Sequence, residues 1–266
     1  MLPVRLGLLL FLLTGMTLGQ SFEVASIRLS GPKSIRGSDG GPGSKDPTRY
    51  TFGRADLKIL VLIAYNVEDF QVSSKLPLDR DEFDLAATIP ANTTKEEFRI
   101  MLRNLLAERF QMKLRIESRE FPAFELVAAK GGAKLGTGDA TRLESAAGFP
   151  QLTPGTPGLI TSNSMSGGNL VTRIRGQQQP VSRLAEVLRN HATRPVVDRT
   201  ALTGKYDFAM QFLTESPNGT TDSPVLSDLP DLNTALREQL GLQLVAKKLP
   251  FDVVVVESFN RLPTEN

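Results

Sequence analysis

Residues 191–208, HATRPVVDRTALTGKYDF, hold the only histidine of the chain, His191, seven residues ahead of Asp198, with Thr200 and Thr203 close behind. An imidazole oriented by a carboxylate and touching a hydroxyl is the chemistry of acyl transfer. That chemistry also needs oxyanion donors, and the chain has no G-x-S-x-G turn to supply them. A second group of candidates is the carboxylate turn of Asp79, Asp81, Glu82 and Asp84. It could serve a hydrolase, although its spacing fits no calcium-loop signature. Ser30-Gly31-Pro32-Lys33 has the S-x-x-K spacing of penicillin-recognising enzymes, but Gly31 and Pro32 cannot hold the helical turn that chemistry requires. With one histidine and no cysteine, the sequence suggests no metal site and no cofactor.

The bland roles of these residues follow from the elements that must carry them. His191 is expected at the C-terminal end of a helix starting near Val181, where a cationic or donor side chain gains about a few tenths of a kcal/mol from the helix dipole. Asp198 is expected to bond backbone amides in the turn ahead of it, and Gly204 to supply positive φ there. Arg54, Arg175, His191, Arg194 and Asp198 together form the candidate surface for a ligand or partner.

Internal similarity organises the rest. LRNLLAERFQMKL (102–114) lies over LNTALREQLGLQL (232–244) at an offset of 130, and the match runs into the following strand. Upstream the offset is 123 or 124, placing 57–67 against 181–192 and 82–89 against 205–213. The difference falls in the loop ESPNGTTDSP. The expected fold is α+β, two tandem β-α-β-β-α-β-β modules packed together after an internal duplication. Thr94 ahead of Lys95-Glu96-Glu97, and Asp231 ahead of Leu232, mark the starts of the second helices. FDVVVVESF (251–259) predicts a central strand, and FEVASIRLS (22–30) an added sheet edge.

The expected organisation is a signal peptide over 1–19, a strand and Gly-rich loop over 20–51, a first repeat over 52–130, a Gly/Pro/Ser-rich connector over 131–172 and a second repeat over 173–266. Arg5, the apolar run Leu8–Leu13 and small Thr17 and Gly19 carry the export signal. The run is too short to span a bilayer, so no stable membrane insertion is expected after cleavage. Removing Arg5 leaves 30 basic residues against 29 acidic ones. That balance, with no Trp and three Tyr, argues against nucleic acid as a partner. Without cysteine, packing alone must stabilise the exported chain.

FEVASI, LLAERFQMKL, REFPAFELVAAKGGAKL, RPVVDRTALTGKYDF, LREQLGLQL and RLPTEN resemble a large uncharacterised secreted family expanded in soil bacteria, acidobacteria above all. The resemblance covers nearly all of the mature chain and implies a periplasmic or secreted location, with no catalytic residue to carry over. Each half is also similar to the short N-terminal periplasmic domain of secretins and TonB-dependent receptors, which implies docking of another protein. The expected function is an exported, non-catalytic binding or scaffolding module with another envelope or secreted protein as partner. The alternative is a secreted hydrolase using His191 and Asp198 or the 79–84 carboxylates.

Overall fold

The computed structural model describes residues 21–136, 149–166, 169–214 and 229–264. The expected signal peptide, the loop ESPNGTTDSP and part of the expected connector lie outside the described residues. The chain divides into two compact units, one of residues up to Arg119 plus those from Phe251 onward, the other of Glu120–Pro250.

The first unit contains β1 (Val24–Leu29), β2 (Gly37–Gly40), β3 (Arg49–Asp56), α1 (Leu57–Tyr65), β4 (Val72–Ser74), β5 (Glu82–Thr88), α2 (Lys95–Phe110) and the start of β6 (Lys113–Ala128). The second takes the rest of β6, then β7 (Gly158–Ser166), β8 (Asn169–Gln179), α3 (Val181–Leu188), β9 (Val196–Asp198), β10 (Tyr206–Thr214), α4 (Leu232–Ala235) with a π-helical turn at Leu236–Leu240, and the start of β11 (Leu242–Ser258). The end of β11 returns to the first unit. The architecture is mixed α and β, as the periodicities predict. The strand orders are β1-β5-β3-β2, β10-β8-β7 and β4-β11-β6-β9. In the third sheet β4 pairs parallel with β11, Val72 opposite Val254, and β9 pairs parallel with β6, Val196 opposite Phe124.

Local chemistry explains the helices. Asp56 accepts the amide of Ile59 at 2.7 Å and starts α1. Thr94 and Glu97 form a reciprocal capping box on α2. Asp231 accepts from Asn233 and Thr234 at the start of α4. In α2 the buried residues Phe98, Met101, Leu102, Leu105, Leu106 and Phe110 follow helical spacing and face the core. There Phe110 meets Phe83 edge to face at 5.1 Å. The second core gathers Leu184 and Leu188 of α3, Phe208, Met210 and Phe212 of β10, and Leu236. Gly176 lies under it because a Cβ there would fall 2.4 Å from the Phe208 ring.

Three features differ from the sequence reading. Residues 158–166, inside the expected connector, form β7, and four residues of the Gly-rich loop form β2. Both are edge strands held by backbone pairing to β8 and β3, so their own composition need not favour a strand. The expected repeats assign each long strand to its own half, whereas the compact units divide both strands. At about 3.3 Å per residue, the 16 residues of β6 span about 53 Å, more than one small unit can enclose. In the turn after β9 the left-handed residue is Ala201 (φ 60°) and not Gly204. At Gly204 a Cβ would fall 2.9 Å from the Tyr206 ring, so a side chain there would have to displace the end of that ring.

Candidate functional site

His191 stands just beyond α3, its amide donating to the Leu188 carbonyl at 3.0 Å. Its ring packs edge-on against Phe212, with centroids 5.4 Å apart. Burial lowers its pKa and favours the neutral imidazole. His191 therefore stands at the helix end expected from sequence, with its ring packed against Phe212. Asp198 turns into its own corner, its Oδ1 accepting from the Thr200 amide at 2.9 Å and the Thr200 hydroxyl at 2.7 Å. Each residue has its own partners and no hydrogen bond or ion pair joins them, so the imidazole–carboxylate link of a hydrolytic triad is missing between these two.

His191 instead lines a cavity of about 500 Å³ in the second unit, with Phe124, Phe212 and Leu244 as apolar walls and Asn190 and Asp231 among its polar groups. The amide and hydroxyl of Thr234, with the amide of Asn233, hold the Asp231 carboxyl below its usual range, so it is spent on capping α4. Arg194 places its guanidinium over the Phe124 ring, 5.5 Å from the centroid. Arg175 is buried in the middle strand β8, at 2% exposure. Arg54 belongs to the first unit, at a bulge of β3 with φ 55°, where its amide donates to Asp84 and its Nε to Glu82 at 2.6 Å. The structure thus groups His191 and Arg194 around Phe124 and sets the other three candidates apart.

Two carboxylates of the acidic turn, Asp81 and Asp84, are equally committed. Arg261 binds Asp81 through two nitrogens, one at 2.7 Å. The Ser34 and Ser30 hydroxyls donate to Asp84 at 2.6 and 2.7 Å. Arg261 holds the Asp81 carboxyl low, and the two serines do the same for Asp84. A general acid needs a raised pKa, and neither group has one. Among the described residues no cluster of three or more His, Asp or Glu side chains could hold a metal ion.

A further feature lies on the first unit. β1 is the edge of its sheet, paired on one side with β5. Val24 is 65% and Leu29 51% exposed. A groove of about 260 Å³ runs between its start and α2, lined by Phe22, Val24, Ala25, Met101 and Leu105 among others. The sequence marks 22–30 as an added edge but gives no sign of the groove, because the α2 residues that line it are far away in the chain.

Comparison with known proteins places this arrangement. The family model described as "Protein of unknown function (DUF3738)" matches residues 58–259, and the chain belongs to that family. No curated protein and no solved structure matches it.

Proposed function

We propose that the chain is an exported, non-catalytic binding module of the bacterial envelope, periplasmic or secreted, that holds an extended segment of another protein by strand addition to β1. The observation carrying this reading is the outer side of β1, which pairs with no strand among the described residues, beside the α2 groove. An extended segment would complete backbone bonds along β1 and place alternate apolar side chains toward Ala25, Met101 and Leu105. Contrast with β10 supports the choice of edge. There Gln239 bonds both the amide and carbonyl of Gln211, and Gly136 exchanges two bonds with Asp207, so that edge is already covered. The pattern of the first nineteen residues supports export.

The two units are further read as copies of one duplicated module that share their long strands. Support comes from matching starts 124 residues apart: α1 and α3, β4 and β9, β5 and β10.

Cross-linking in native envelope, followed by hydrogen exchange on the recovered complex, tests the binding reading. The expected result is slowed exchange across 24–29 and loss of capture in Val24→Asp, a change at an exposed position. Capture that leaves β1 exchange unchanged and survives Val24→Asp would remove β1 as the site.

A further inference from the structure

β8 is the middle strand of its sheet, and Arg173 and Arg175, two residues apart, share one face. The opposite face carries Ile174 into the core with Phe208 and Met210. Among the described residues the partners of both guanidiniums are neutral. Arg173 donates to Ser164 at 2.6 Å and Gln211 at 3.3 Å, and Arg175 makes one long bond of 3.4 Å to Gln151. Arg175 is nonetheless 2% exposed. A guanidinium has five donors in a planar fork, and burying it beside a single neutral acceptor is costly. Such a group in a folded protein calls for a counter-ion.

Its neighbours on this face supply no charge in its place. Ala209, half-exposed, lies opposite Arg175 on β10 and adds only a methyl group on that side. Over the strand end runs a strap of residues 149–157. Gln177 holds it by donating to the carbonyls of Thr153 at 3.0 Å and Thr156 at 2.8 Å. Gln151, the one hydrogen-bond partner of Arg175 among the described residues, is an exposed residue of that strap, so an incoming acceptor would compete with a long bond to a solvent-facing side chain.

We infer that the Arg173–Arg175 face of β8 binds an oxyanion, the carboxylate or phosphate of a small ligand, with Arg175 as the bidentate anchor and Arg173 as the second cation. This site is independent of strand addition at β1.

The test is a titration of the full mature chain with acetate and, separately, inorganic phosphate, against sodium chloride at matched ionic strength. Calorimetry and thermal unfolding are the readouts. A saturable response to acetate or phosphate, absent with chloride, is expected, with the melting temperature rising by about 3 °C at ten times the dissociation constant. The arm that responds at lower concentration identifies carboxylate or phosphate as the source. Arg175→Met should abolish the response and Arg173→Gln should weaken binding about tenfold. Should Arg175→Met fail to fold, the half-exposed Arg173→Gln decides alone. Equal responses to all three salts, or unchanged affinity in the folded variants, would overturn the assignment.

Discussion

Gln111 and Gly241 end the second helices of the two units with the same left-handed backbone, φ 49° and 63°. Around them the units diverge. Gln111 is exposed and folds its side chain back onto the Glu108 carbonyl. At Gly241 the chain of residues 129–134 passes so close that a Cβ would fall 2.1 Å from the Gly132 carbonyl oxygen. The bulges before the first helices show the same contrast. Arg54 and Gln178 are both left-handed, and each gives its amide to an aspartate on the facing strand, Asp84 or Asp207. Ser30 and Ser34 complete Asp84 at a surface recess, whereas Asp207 is 4% exposed beneath a backbone bridge to Gly136. One backbone design is thus left open to solvent in the first unit and closed by its own chain in the second.

Exchanging residues between the units should break this contrast in a graded way. Gly241→Gln should cost about 3 kcal/mol by forcing the 129–134 segment away, while Gln111→Gly should change stability by under about 1 kcal/mol. Urea unfolding of both variants measures the pair, and equal losses would refute the difference in packing. Asp207→Ala removes the acceptor of the half-buried Gln178 amide, for a loss of about 2 kcal/mol. Asp84→Ala should lose clearly less, since water can replace its carboxylate. Asp56→Ala removes the α1 cap at about 1 kcal/mol, whereas Pro180→Ala removes no side-chain cap from α3.

The smallest effect concerns His191, which stands where the aligned first half has Val67. Its folded pKa lies below the unfolded value near 6.5, so the unfolded chain binds the proton more readily. Its penalty is absent at neutral pH and grows as pH falls from about 6.5 through the lowered folded pKa. His191→Val should flatten the melting temperature between pH 7 and 5. An unchanged slope would show that other groups set it.

Sequence patterning exposes what is local. Thr94 and Asp231 sit at their caps, and the strand preceding Ser30 is an edge. It misses what backbone pairing imposes on neutral segments, as in β2 and β7, whose residues do little to specify a strand. Nor can it reveal the site geometry. The separation of His191 from Asp198 depends on which way a three-residue strand and its turn direct one carboxylate. The burial of Arg175 depends on a strap about two dozen residues earlier in the chain, with no charge in it to mark an ion partner.

The long strands also fix when each unit can be finished. β4 finds its parallel partner in Val254–Val256, 182 residues further along the chain, and the Phe110 carbonyl waits for the amide of Asn260. A nascent chain emerges in the opposite sense, so the unit made first is among the last to close. Domain-by-domain folding during synthesis is therefore unavailable to the first unit. Until β11 has left the ribosome, that unit remains a sheet without its closing strand, so its last contacts form only after synthesis has ended.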